Sequence, residues 1–446
     1  MTLTPQLVRA ALAIRRHPTA SRAELKAFQD AQLRRLVVHA YDSVPFYRKL
    51  FDRHRLHPRH IRGTVDLDLI PIISKQDLRS QPALNVVARG LDPEQLLTAR
   101  TSGSSGEPFV IRRTWLEQSL QYLLRLRCFD SLGVRVSDRT ATVGLKRRHD
   151  ARDRKILGRA LRGSGVRQTV RLDGLNEPET NVAQLREFRP DVISGMPGMI
   201  CRIADYLVAQ GDDSIRPRLL IVGGEVLTPV MRRRLGEAFG AAVRETYGSH
   251  EFPLLGWECG RTGEFHTCDD GLILEVLHEG RPAEPGEQGE VVATNLHAYS
   301  MPFIRYRLGD VATRGSQSCA CGQPFSTIRT VQGRMIDYFP LPDGRMVHPY
   351  QILATFIAGN DSWIRQYQLL QEQRDRIILR VLPVQTPEPQ FLERLEHSVR
   401  PLLGPGVEFR VQLVDSLPLE STGKFRPSRS LVHSAYDGVA VSPAHV

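Results

Sequence analysis

No stretch of the 446-residue chain stays apolar for the roughly 20 residues that a membrane-crossing helix needs, so no membrane span is expected. Residues 1–16 lack the apolar core and small-residue cleavage site of a secretion signal. The expected location is therefore cytoplasmic, where thiols stay reduced. Cysteine is scarce, six in all, too few for a disulfide scaffold in a chain of this size. No internal repeat or low-complexity tract is present. Nor is there a G-x-G-x-x-G dinucleotide fingerprint, or a glycine loop ending in Lys-Ser/Thr as in the common nucleotide hydrolases. Acidic residues are outnumbered, 49 against 60 basic, for a net charge of +11. That balance suits anionic partners, yet no nucleic-acid-binding motif accompanies it. The densest basic cluster (Lys146, Arg147, Arg148, Arg152, Arg154 and Lys155) is interleaved with Asp150 and Asp153. It reads as a solvated loop before it reads as a polyanion site.

What the chain does have is a loop of hydroxyls and glycines: Thr101, Ser102, Gly103, Ser104, Ser105, Gly106, Glu107, Pro108. With no large apolar side chain, it has nothing to contribute to a core. Glycine lets backbone N–H groups close around an anion, so the segment suits phosphate oxygens. A plain Ser/Gly linker is the alternative, but apolar β-type runs at 96–99 and 109–111 flank this one. The pattern predicts strand, phosphate turn, strand.

With 446 residues and 41% hydrophobic composition, two or three domains with substantial cores are expected. Ser21 to Glu24 has the form of a helix capping box. Leu25, Phe28, Leu33, Leu36, Val37 and Ala40 then follow at helical spacing up to Pro45. Between residues 60 and 330, strand candidates at 141–143, 192–194, 219–222 and 242–245 alternate with helical stretches at 198–210 and 229–239. Such alternation argues for an α/β sheet domain. Composition changes near Gly333. Beyond it lie runs at 363–370 and 376–381, a helix carrying Phe391, Leu395, Val399 and Leu402 that stops at Gly404-Pro405-Gly406, and an alternating strand at 407–413. The expected architecture is α/β: a large N-terminal sheet body over residues 1–332 and a small, mobile C-terminal α+β lid over 333–446.

Five further segments stand in order along the chain. Gly223, Gly224 and Glu225 follow the 219–222 strand. Tyr247, Gly248, Ser249, His250 and Glu251 place a carboxylate after a glycine turn, suited to Mg²⁺, which takes one or two protein carboxylates. Asp310 closes Tyr306-Arg307-Leu308-Gly309-Asp310. Gly333-Arg334 sits at the composition break. Ser421-Thr422-Gly423-Lys424 puts a lysine on a glycine turn. In this order they resemble the adenylate-forming superfamily of acyl-CoA synthetases and adenylation domains. Residues 36–51, 70–79, 289–295 and 301–307 are similar to the phenylacetate–CoA ligase branch, and the resemblance runs from about residue 30 to 430.

The resemblance implies a reaction in two halves: a carboxylate attacks the α-phosphate of ATP to give an acyl-adenylate, and CoA then displaces AMP. It implies that residues 101–108 grip the β- and γ-phosphates, Glu251 holds Mg²⁺, and Asp310 holds the ribose. Tyr247 through His250, with Gly224 and Glu225, fall in the implied AMP-binding set, and Arg334 lies in the hinge region. Lys424 bridges carboxylate and α-phosphate as a compact point charge, entering and leaving as the lid rotates. The implied acid is aromatic or hydrophobic. Its pocket is expected near 194–197, 223–225 and 247–252. The expected partners are a small carboxylic acid, ATP and CoA, with no nucleic acid and no membrane; a homodimer is allowed.

Two departures qualify the match. His250 stands where relatives usually carry Ser or Thr, either donating to phosphate or filling space. Ile336 occupies the usual pivot, with Asp337 one position late, which puts lid rotation and the CoA half-reaction in doubt. An amine or a carrier-protein thiol is therefore a rival acceptor, and a catalytically silent scaffold is the rival of another class. Finally, Cys259, His266, Cys268, Cys319 and Cys321 offer soft ligands in two groups. Cys-x-Cys with a distant Cys/His pair can close a four-ligand structural Zn²⁺ site. The spacing fits Cys259, His266, Cys319 and Cys321, leaving Cys268 as spare or substitute, and some members of the resembled branch carry a comparable knuckle. Reduced, unliganded thiols are the alternative.

Overall fold

The computed structural model describes residues 5–100, 109–144, 168–174, 176–225, 227–316, 318–334, 339–347, 349, 352–353, 363–385, 387–417 and 428–432. They fall into two compact units, one drawn from residues 1–135 and 246–331, the other from 136–245 and 332–441. The α/β reading holds. No helix among the described residues is long and apolar enough to cross a membrane.

In the first unit, Ser21 caps the helix Arg22–Ser43 as expected. Its hydroxyl accepts from the Glu24 N–H at 3.2 Å, and the Glu24 carboxylate accepts from the Ser21 N–H at 2.7 Å. The helix buries Leu25, Leu33, Leu36, Val37 and Ala40, and Pro45 opens the next one, Pro45–Arg53. The core continues through Phe109, Ile111, Phe252, Trp257, Phe303 and Tyr306. Antiparallel strands follow, Leu272–His278 beside Gln288–Asn295 and that beside Tyr306–Arg314. The two predicted strands pair antiparallel, Leu97–Arg100 with Val110–Arg113, in the register Arg100↔Val110 to Leu97↔Arg113, and the expected turn between them lies outside the described residues.

In the second unit, parallel strands run side by side in the order Thr169–Asp173, Thr140–Gly144, Val192–Gly195, Leu219–Gly223. Their apolar runs suit a sheet covered on both faces. The helices Pro178–Phe188, Pro197–Ala209 and Pro229–Phe239 contribute Leu185, Ile200, Ile203, Leu235 and Phe239 to that core. The C-terminal α+β part has a four-stranded sheet ordered Glu408–Leu413, Arg376–Pro383, Ile364–Gln373, Ser428–Ser430. The helix Pro389–Leu403 packs on it through Leu395, Val399 and Leu403, and the chain leaves that helix at Gly404.

Gly195 ends its strand at φ +155, and a Cβ there would lie 2.0 Å from the Val143 carbonyl oxygen of the paired strand. We expect Gly195→Ala to cost about 3 kcal/mol, because the clash is with backbone that cannot turn aside. Gly211→Ala, at φ +61 with open space around it, should cost about 1 kcal/mol. Chemical denaturation of the two variants checks the difference.

Candidate active site and metal centre

Residues 247–251 form a tight turn. The Ser249 N–H donates to the Phe252 carbonyl at 2.8 Å, the Phe252 N–H to Ser249 Oγ at 3.1 Å, and the Leu255 N–H to the Tyr247 carbonyl at 2.8 Å. Glycine at 248 is a steric requirement, since a Cβ would stand 2.6 Å from the Pro253 carbonyl oxygen. The turn leaves Glu251 only 6% exposed. Its Oε1 accepts from the Tyr306 hydroxyl at 3.1 Å. That is the carboxylate's one recorded hydrogen bond among the described residues, so Oε2 keeps its capacity for a hard cation. A carboxylate oxygen fits Mg²⁺.

Asp310 owes its place to a bulge. Val292 pairs with Arg307 and Glu290 with Val311, so Leu308, Gly309 and Asp310 stand opposite Val291 alone. Gly309 takes φ +82 there, the backbone a bulge of this kind demands. Asp310 Oδ2 accepts from the Tyr247 hydroxyl at 2.6 Å. One strand, Tyr306–Arg314, thus reaches residues 247–251 twice, through Tyr306 to Glu251 and through Asp310 to Tyr247. Behind it, Ile73 bridges to Tyr306, and Tyr47 donates to the Pro302 carbonyl at 2.9 Å while accepting from the Ile304 N–H at 3.0 Å.

The soft ligands also converge. Donor atoms of Cys259, His266, Cys319 and Cys321 all lie within 4.8 Å of one another. Cys259 and Cys319 sulfurs are 3.7 Å apart, and His266 Nε2 lies 3.2 Å from Cys321 Sγ. Sulfurs bonded at about 2.3 Å to a tetrahedral Zn²⁺ sit about 3.8 Å apart, so the donor set fits that ion. Burial would raise the Cys259 thiol, but hydrogen bonds from the Thr262 side chain and the Arg261 and Thr262 backbone outweigh it and hold the thiol down at about 7. Burial, with Cys319 and Cys259 alongside, pushes Cys321 up to about 11. Burial keeps His266 neutral, the ligating form. Cys268 is not in the group. Its Sγ lies 3.3 Å from Arg127 Nη2 and 3.4 Å from Asp270 Oδ1, and burial pushes that thiol well up.

The C-terminal residues 341–428 match the family model "CapK C-terminal domain". Over 387 residues the chain is 28% identical to the phenylacetate–coenzyme A ligase of Thermus thermophilus, covering 84% of each protein. It is 27% identical to the enzyme of that name from Escherichia coli, over 91% of this chain and 94% of that one. This chain is phenylacetate–CoA ligase-like. Among solved structures, 2-hydroxyisobutyryl-CoA ligase in the postadenylation state shares the fold at a TM-score of 0.77, with 20% identity over 93% of this chain and 91% of that one.

In this ligase-like chain, the structure brings together Tyr247, Gly248, Ser249, His250, Glu251 and Asp310. Gly224 and Glu225 lie in the other unit. Gly224 takes φ +84, and Glu225 Oε2 accepts from the Gly198 N–H at 2.9 Å, at the start of the helix Pro197–Ala209. Thr101, Ser102, Gly103, Ser104, Ser105 and Gly106 lie outside the described residues, as do Ile336, Asp337, Lys424 and the basic cluster at 146–155. Arg334 ends the strand Thr327–Arg334, and its side chain is likewise outside them. Three side chains that sequence reading passed over belong to the two sites. Tyr306 and Arg113 reach the 250–251 segment. Arg127 lies between the rings of Trp257 (4.5 Å) and Phe325 (4.6 Å), ion-paired to Asp270 at 2.7 Å, behind the soft-ligand group. Trp257 packs on His266 at 5.6 Å.

Proposed function

We propose that the chain is an ATP-dependent carboxylic acid–CoA ligase working through an acyl-adenylate. The observation that carries the reading is the double link of one strand to residues 247–251, which places Glu251 and Asp310 in a single fixed frame. The names of its relatives support the same reading. In this frame Asp310 receives the ribose hydroxyls and Tyr247 fixes the carboxylate that does so. Glu251 holds Mg²⁺, which neutralises phosphate charge when bound. Residues 101–106 cradle the β- and γ-phosphates with backbone N–H groups and hydroxyls. Such chemistry asks the protein mostly for positioning and charge neutralisation. The cation that meets the attacking carboxylate is Lys424, carried on a lid that begins at residue 333. An aromatic or other hydrophobic acid is the proposed substrate.

A structural Zn²⁺ on Cys259, His266, Cys319 and Cys321 belongs to the same proposal. With four protein ligands it leaves no open coordination position, so its work is to fix the fold.

Ile336 at the usual pivot position keeps an amine or a carrier-protein thiol as the alternative acceptor to CoA.

Acid-dependent ATP–pyrophosphate exchange across aromatic, aliphatic and hydroxylated acids tests the proposal. Exchange with an aromatic acid, followed by thioester formation when CoA is added, is the expected result. No exchange with any acid would overturn it. In the same assay, Asp310→Ala should raise KM for ATP about 10- to 100-fold, the worth of a charge-assisted hydrogen bond, with a smaller effect on KM for the acid. Initial-rate kinetics in both substrates check this.

A further inference from the structure

Arg113 ends the strand Val110–Arg113, which pairs with Leu97–Arg100, and it faces inward with Ile111. It is only 7% exposed. A guanidinium so far from water is costly unless its donors and its charge are both answered. Arg113 Nη2 donates to two successive backbone carbonyls, those of His250 and Glu251, the latter at 3.3 Å. Glu251 and Glu117 supply the opposing charge. Its guanidinium therefore grips the peptide of Glu251 while the strand holds its other end.

We propose that Arg113 is a positioning residue that fixes the Glu251 peptide, so that the Glu251 carboxylate and the phosphates of the nucleotide share one divalent cation. The inference rests on the reading that Glu251 takes the cation. Three side chains anchor Glu251 among the described residues. Tyr306 meets its carboxylate, Asn295 Nδ2 reaches its carbonyl at 3.5 Å, and Arg113 holds its carbonyl and that of His250. Tyr306 and Asn295 come from the antiparallel strands, Asn295 ending Gln288–Asn295 and Tyr306 opening Tyr306–Arg314. Arg113 alone among the three comes from the strand pair that flanks residues 101–108.

The choice of arginine is informative. A methionine would fill similar space without donating. A lysine would keep the charge but place it on a flexible stem, in place of the planar guanidinium whose Nη2 donates to both carbonyls.

The test compares wild type, Arg113→Lys and Arg113→Met in two measurements. The first is equilibrium Mn²⁺ binding followed by electron paramagnetic resonance, with and without ATP. The second is acid-dependent exchange. In the wild type, ATP should tighten Mn²⁺ binding, and in Arg113→Met that tightening should fall about 10-fold. The kcat for adenylation should fall about 100-fold, as expected when a reacting group is misplaced by about an ångström. Arg113→Lys should fall between them. A purely structural arginine would lower the melting temperature and leave the ATP-dependence of Mn²⁺ binding unchanged, and that outcome overturns the inference. If Arg113→Met does not fold, the lysine variant decides by the same two readouts. A wild type without exchange overturns the ligase reading and the inference with it. A normal wild type with unaltered variants overturns the inference alone.

Discussion

Lys424→Ala should abolish acid-dependent pyrophosphate release while leaving ATP binding and the thioester step from pre-made acyl-adenylate intact. The argument is electrostatic. Two anions, the substrate carboxylate and the α-phosphate, must approach to bonding distance, and charge builds on the phosphoryl oxygens as they do. Glu251 with a bound cation and the N–H groups of the hydroxyl-glycine loop can answer the β- and γ-phosphates. Neither supplies a cation at the point of attack. The hydroxyl-glycine loop contains no lysine of its own, unlike the common hydrolase loops. Lys424 lies four residues before the strand Ser428–Ser430, which pairs with Leu369, Leu370 and Gln371 at the heart of the C-terminal sheet. Only Phe425, Arg426 and Pro427 separate Lys424 from that strand along the chain.

Removing one preorganised charge of this kind typically costs 10²–10³ in rate, about 3–4 kcal/mol. Here the whole attacking pair depends on it, so a loss of about 10³-fold or more is expected. The thioester step needs no such neutralisation, because its nucleophile is a thiol and its leaving group is already AMP. Rapid-quench measurement of pyrophosphate and of thioester from synthetic adenylate separates the two halves. Equal loss in both would assign Lys424 to folding or to lid closure in general. Unchanged pyrophosphate release would remove it from the chemistry.

How much of this was legible in the sequence depends on what kind of residue carries the information. Backbone requirements left a trace. Gly248 and Gly309 are there because a Cβ or a negative φ would not fit, and each announces the acid that follows it. Helix caps, the Pro45 stop, the Gly404 exit and the period-2 strand at 407–413 were visible for the same reason: local geometry demands particular residues.

Side-chain partnerships across distant segments left none. Arg113 and His250 are 137 positions apart, and nothing periodic marks the pair. The Tyr306–Glu251 bond was hidden inside a motif read only for its aspartate. Tyr47 belonged to a family-like stretch whose purpose no spacing could reveal, until its hydroxyl was seen to hold the Pro302 carbonyl and Ile304 N–H. Glu225 carries another such link: its Oε2 accepts from the Gly198 N–H at the start of the helix Pro197–Ala209, where a negative charge is favourable.

If the soft-ligand corner holds Zn²⁺ as proposed, removing the ion should unfold that corner. Cys259 follows the strand Gly256–Glu258, His266 sits in Phe265–Thr267, and Cys319 and Cys321 flank a turn closed by the Gly322 N–H to the Cys319 carbonyl at 3.1 Å. These short pieces pack through Trp257, Phe265 and Phe325, with Arg127 between the Trp257 and Phe325 rings. A four-ligand ion is what would tie them together. Purified protein should contain one zinc per chain, and Cys319→Ser should lose it together with about 3 kcal/mol or more of stability. Chelation of the wild type should match that loss.

The pH dependence has a definite sign. Ligation needs thiolates, so lowering the pH must weaken zinc binding. In the metal-free protein, Cys259 sits at about 7 against an ordinary 9.0. Its thiolate contribution is therefore complete above about pH 9 and drains away as the pH falls through about 7. Zinc release followed from pH 8 to 5 should thus steepen near neutrality. Cys268→Ser, whose sulfur faces Arg127 and Asp270 instead, should leave the zinc content unchanged. A protein that carries no stoichiometric zinc, or that loses zinc with Cys268→Ser and keeps it with Cys319→Ser, would overturn this assignment.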